Sequence, residues 1–107
     1  MNLTYSTTLV LHALAAGVGH GFDILDATGL PSGTVYPILR RLEREGLVLA
    51  TWEDVAIARD EQRPPRRYYE LTRAGGDVLK TARARYPIPA SISARTRRLL
   101  RPARSTS

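Results

Sequence analysis

The sequence has no cysteine and only two histidines, His12 and His20. Disulfides and thiolate metal sites are therefore excluded, and two imidazoles are too few for a zinc cluster, so no cofactor is expected. Long apolar runs are missing as well. The longest falls far short of the roughly 20 residues that a bilayer-spanning helix needs, and no basic-then-apolar leader opens the chain. These absences lead us to expect a cytoplasmic protein with no membrane contact. Catalytic constellations are also lacking: there is no serine, histidine and acid arrangement, no glycine-rich phosphate loop and no carboxylate pair with a base in reach. Gly17, Gly19 and Gly21 alone are weak evidence for a nucleotide site, so an enzyme is not expected.

What is present is one small domain. At 107 residues, 43% of them hydrophobic, the chain can bury a single core, and a catalytic cleft between domains is not expected. The net charge of +6 is unevenly spread. Residues 87–107 carry Arg95, Arg97, Arg98, Arg101 and Arg104 with no acid, which leaves 11 basic against 10 acidic residues in 1–86. Any binding of nucleic acid by the body of the protein must then come from local arrangement, and the tail would add a salt-sensitive attraction to phosphates. A solvated, partly disordered terminus accounts equally well for the tail.

The most informative stretch is Gly33 to Val48. At about 100° per residue, Val35, Ile38, Leu39 and Leu42 fall on one side of a helix, with Tyr36, Pro37, Arg40, Arg41 and Arg44 mainly on the other. The apolar stripe fastens the helix to a core, and the guanidinium forks suit phosphate oxygens and guanine edges. An ordinary surface helix, its arginines solvated or paired with Glu43 and Glu45, has the same pattern.

The flanking segments bear on the choice. Thr4 or Ser6 can cap a first helix running to about Ala16, with Leu9, Val10, Ala13 and Leu14 on its buried side. A second helix is predicted from Gly21 to Thr28, with Phe22, Ile24 and Leu25 apolar. Gly29-Leu30-Pro31-Ser32 forms a turn in which Ser32 caps the third helix, and Pro37 lies near the edge of that helix's first turn. This order makes a helix-turn-helix. Strands are predicted at 48–53 and 66–71, joined by a polar loop over 54–65. Together they form a wing in which Arg63, Arg66 and Arg67 are placed for phosphates, although a solvated hairpin fits the same residues. Trp52, Tyr68 and Tyr69 are expected in core and hairpin packing rather than as a base-stacking platform.

Three segments in this order resemble the PadR family of bacterial transcriptional regulators. They are Gly19-His20-Gly21-Phe22-Asp23-Ile24, then Gly33 through Val48, then Pro64-Pro65-Arg66-Arg67-Tyr68-Tyr69-Glu70-Leu71-Thr72 followed by Gly75. The resemblance spans roughly residues 8–80 and implies a winged helix-turn-helix homodimer that binds double-stranded DNA at an inverted-repeat operator. Such proteins most often repress, and many release DNA when a small molecule binds. Tyr36 matches the tyrosine that opens the family's recognition helix, and Arg40 follows one turn later on the same face. Phe22 stands where the family usually has tyrosine, and the wing loop is longer and less glycine-rich than is common.

The expected fold is mostly α with a two-stranded β-hairpin: a winged helix-turn-helix over 1–72, a dimerisation helix over 73–90 and a basic, partly disordered tail over 91–107. Ser91 to Arg101 has the option of a short basic helix instead. The expected DNA-binding residues are Ser32, Thr34, Tyr36, Pro37, Arg40, Arg41, Arg44, Arg63, Arg66 and Arg67. The family's pairing through carboxy-terminal helices and the first helix implies an interface of Leu3, Tyr5, Leu9, Val78, Leu79, Ala82 and Tyr86. A small-molecule effector remains open and unidentified. The competing function is a winged-helix module that binds a protein, or DNA architecturally without a target sequence.

Overall fold

The computed structural model describes residues 3–100. Helix α1, Tyr5–Ala15, begins where the Thr4 hydroxyl accepts the Thr7 N–H at 3.0 Å. It buries Leu9, Val10, Leu11, Ala13 and Leu14. Helix α2 follows over Gly21–Thr28 and stops at Gly29, whose φ of +73° is the left-handed conformation that a glycine tolerates. Helix α3, Ser32–Arg44, faces the core with Val35, Ile38, Leu39 and Leu42.

Two expectations for α3 are corrected. Ser32 is the first helical residue rather than the cap; extended Pro31 holds the cap position without a side-chain bond, and its carbonyl accepts the Thr34 and Val35 N–H groups at 2.9 and 3.1 Å. Pro37 lies inside the helix, beyond its first turn. It has no N–H to give the Gly33 carbonyl, and the buried face around it carries the helix through that lost bond.

Strand β1, Val48–Trp52, pairs antiparallel with β2, Arg67–Leu71, in a register that sets Val48 opposite Leu71 and Trp52 opposite Arg67. His20, bridged to Tyr68, extends the sheet at its free edge. The polar connection holds a short helix, α4, Val55–Asp60, which the sequence reading takes as loop. The Asp54 carboxylate caps it by accepting the Ala56 N–H at 2.8 Å, and Ala58 is its one buried residue.

Helix α5, Arg73–Arg85, is capped by Thr72 and packs along α1. After Pro87-Ile88-Pro89, residues Ala90–Leu100 form α6, which lies across α2. Of the expected tail, 91–100 are thus helical and not disordered, because Thr96 is buried, Leu99 packs on the core and Arg95 donates to the Asp26 carbonyl at 3.3 Å. Arg101 and Arg104 lie outside the described residues.

Candidate nucleic-acid interface

Burial of the α3 stripe determines what its other side offers. With Val35, Ile38, Leu39 and Leu42 turned inward, Ser32, Pro37, Arg40 and Arg44 are exposed and Thr34, Tyr36 and Arg41 half-buried. Arg40 and Arg44 stand one turn apart on the outer surface, and neither makes a hydrogen bond or an ion pair among the described residues. Arg41 turns partly inward, and its Nε is buried without a hydrogen-bond partner among the described residues.

Tyr36 is seated against α2. A Cβ built on Gly21 would collide with its hydroxyl oxygen and come within 3.1 Å of Cε1 and Cζ. The glycine at the start of α2 and the tyrosine early in α3 are thus two halves of one contact that sets the angle between these helices. Sequence reading took each residue separately.

The wing arginines differ in their surroundings. Arg63 forms a fork on Glu53, with Nη1 donating to Oε1 at 2.6 Å and Nη2 to Oε2 at 2.9 Å. The Glu53 side chain is only 7% exposed, and Oε1 also accepts the Arg66 N–H at 3.2 Å. The Arg63 hydrogen bonds hold the Glu53 carboxyl down to about 2, and the same bonds raise the Arg63 pKa. Arg67 donates to Glu43 of α3 at 3.2 Å and lies over the Trp52 ring at 5.0 Å from its centroid. Glu43 therefore pairs across to the wing rather than with an arginine of its own helix. The Arg66 guanidinium has no carboxylate partner among the described residues.

The aromatic expectations divide. Tyr69 packs against the core, but Trp52 is 65% exposed at the outer end of the hairpin, beyond the reach of the core, with Arg67 as its cover. Phe22, read as part of the apolar side of α2, is 68% exposed and leans on His20 at 5.4 Å between ring centroids. His20 in turn faces Tyr68 at 5.7 Å. Burial, then the Arg66 charge, lowers the His20 pKa.

Of the residues expected at a dimer contact, Leu9, Leu79 and Ala82 are covered within the single chain because α1 and α5 pack together. Leu3, Val78 and Tyr86 are half-buried and Tyr5 is 41% exposed. The Tyr5 and Tyr86 rings meet at 6.5 Å, and the Tyr86 hydroxyl donates to the Leu3 carbonyl at 3.4 Å. On the same pair of helices Arg83 donates to His12 Nδ1 at 3.0 Å. Burial first and the Arg83 charge second lower the His12 pKa. Among the described residues no helix is long and apolar enough to cross a membrane, and no group of three or more histidines, cysteines and acids is placed to hold a metal ion.

Comparison with known proteins agrees with this geometry. Residues 10–81 match the model of the transcriptional regulator PadR-like family. No curated protein matches the chain. Among solved structures, a PadR family transcription regulator from hypervirulent Clostridium difficile R20291 is similar with a TM-score of 0.63 at 24% identity, over 91% of this chain and 99% of that one. A PadR family transcriptional regulator from Eggerthella lenta DSM 2243 is similar with a TM-score of 0.57 at 26% identity, over 88% and 82%. The PcaV transcriptional regulator from Streptomyces coelicolor, in complex with its natural ligand, is similar with a TM-score of 0.61 at 27% identity, over 92% and 72%.

Proposed function

The chain belongs to the transcriptional regulator PadR-like family, and from that premise we propose that it is a repressor that binds an inverted-repeat operator as a homodimer. The observation that carries the reading is the exposed pair Arg40 and Arg44, without an ion-pair partner among the described residues, on a helix whose opposite face is buried in the core. Arg40 reads base edges in the major groove, where an arginine fork matches guanine O6 and N7. Ser32 and Thr34, at the start of the helix, lie where recognition-helix residues meet bases and phosphates, and Arg44 contacts the backbone. Tyr36, seated on Gly21, also holds the helix at its working angle.

A dimer follows from the size of the domain, since one small module makes too few base contacts for useful operator affinity. The Tyr5 and Tyr86 pair with Leu3, together with Val78 two turns along α5, is the surface we assign to the partner. Leu9, Leu79 and Ala82 support that surface from beneath. Effector release belongs to the same reading. A cleft bounded by His20, Asp23, Thr51, Tyr68, Glu70 and Leu100 lies between α2, the wing and α6, so a molecule seated there would press on the wing. Selection of duplexes from a random pool by the purified protein tests the reading. An enriched palindrome with half-sites about one helical turn apart is expected; recovery of unenriched sequence overturns it in favour of architectural binding.

A further inference from the structure

We propose that the three wing arginines divide between two tasks: Arg63 and Arg67 are positioning residues that fix the hairpin to itself and to α3, and Arg66 is the phosphate contact. The proposal rests on the DNA-binding reading and assigns work within it.

The donors decide the division. Arg63 spends both terminal nitrogens on the two oxygens of Glu53, and Nη1 also reaches the Pro64 carbonyl at 3.3 Å. The Glu53 carboxylate is nearly covered and is engaged again by the Arg66 N–H, while the Glu53 N–H donates to the Arg66 carbonyl at 2.7 Å. These bonds close the base of the connection that carries α4. An arginine already neutralised by a shielded two-bond fork releases no counterion from DNA unless the fork breaks, and breaking it would leave Glu53 facing phosphates.

Arg67 does for the helix what Arg63 does for the loop. Its guanidinium is held between Glu43, on the last turns of α3, and the Trp52 ring on the opposite strand. The contact bridges the recognition helix and the wing, and so sets the separation of the two elements that would enter neighbouring grooves. Arg66 immediately precedes Arg67, at the entry to β2 and outside the strand itself. With Arg63 and Arg67 it borders a cleft lined by His20, Phe22, Pro64 and Pro65, next to the start of α2, and what sets it apart from them is its lack of an ion-pair partner among the described residues. No carboxylate among the described residues forms an ion pair with its guanidinium, so it keeps its donors for a phosphate oxygen.

The test is the salt dependence of binding to a short random-sequence duplex and to a duplex enriched by selection. Arg66→Ala should reduce the slope of log affinity against log salt by about one on both duplexes, the loss of one neutralised phosphate. The charge-conserving pairs Glu43→Gln with Arg67→Ala, and Glu53→Gln with Arg63→Gln, should leave the random-duplex slope unchanged and lower the preference for the enriched duplex several-fold. Glu43→Gln alone should free Arg67 and steepen the random-duplex slope. The division is overturned if Arg66→Ala leaves the slope intact, or if either pair variant lowers it as Arg66→Ala does. Because the Arg66 side chain makes no hydrogen bond or ion pair among the described residues, its variant remains informative even where a pair variant fails to fold. Wild-type protein that binds neither duplex at any salt would instead sink the DNA-binding reading itself.

Discussion

The Tyr36 ring lies so close over Gly21 that a Cβ added there would overlap its hydroxyl oxygen, between the first turn of α2 and the early part of α3. Both helices of the motif are read by this one contact. Gly21→Ala must push the ring outward or separate the helices, and overpacking of this kind costs about 1 to 3 kcal/mol. Tyr36→Phe removes the atom that collides first, so the double variant Gly21→Ala with Tyr36→Phe should be less destabilised than the sum of the two single variants. Denaturant unfolding of the four proteins measures this coupling. Strict additivity would show that the contact does not define the angle between the helices.

Acid should loosen the wing late. The Glu53 carboxyl is held at about 2, below its ordinary value of 4.5, so its stabilising contribution is complete above 4.5 and disappears as pH falls through about 2. His12 and His20 titrate below their ordinary value of 6.5, so the folded state prefers them neutral, and acidification below 6.5 withdraws stability earlier. Two acid-sensitive ranges are therefore expected in an unfolding series from neutral to strongly acid pH. Glu53→Gln should abolish the lower one and leave the upper one in place. A single transition that Glu53→Gln does not alter would contradict the assignment.

Arg40→Ala should leave the fold intact, since the side chain is exposed and unbonded, while removing preference for the operator. Loss of one bidentate base contact costs roughly 1 to 3 kcal/mol of discrimination, about 5- to 150-fold. Competition between the enriched duplex and random DNA measures it. Wild-type preference in the variant would mean that the recognition face lies elsewhere on α3.

The sequence made the helix-turn-helix legible because its signals are strong and local. Val35, Ile38, Leu39 and Leu42 keep helical period, Gly29 and Gly46 mark helix ends, and Thr4 and Thr72 cap where a threonine caps. The short α4 escaped because six residues with one buried alanine carry no period to detect. The Arg63 and Glu53 fork escaped for another reason: charged side chains show their sequence and not their rotamers, so an arginine bound for a carboxylate looks the same as one bound for a phosphate. Glu43 was within helical reach of its own arginines, and only the return of β2 alongside α3 makes Arg67 its partner. Trp52 looked like core by size, yet the hairpin carries it past the end of the core.

The carboxy-terminal segment allows two effects to be separated that its composition confounds. As a charged tail it should act on DNA and not on the fold; as α6 it should do both through different side chains. Thr96 is buried and Leu99 packs on the core beside Leu25, while Arg97 and Arg98 are exposed. Leu99→Ala should therefore destabilise the protein by about 2 kcal/mol, most of the value of burying one leucine, and leave the salt slope of binding to random DNA unchanged. Arg97→Ala with Arg98→Ala should do the reverse, flattening the slope by up to about two with little change in unfolding temperature. Deletion of 90–107 should combine both effects yet keep the α1 and α5 surface, and so leave a dimer, whereas deletion of 73–107 should yield a monomer or an unfolded chain. Unfolding temperature, salt slope and sedimentation on these four variants measure each effect apart. If Leu99→Ala left stability untouched, α6 would not be part of the domain, and its arginines would act as the loose chain that composition alone suggests.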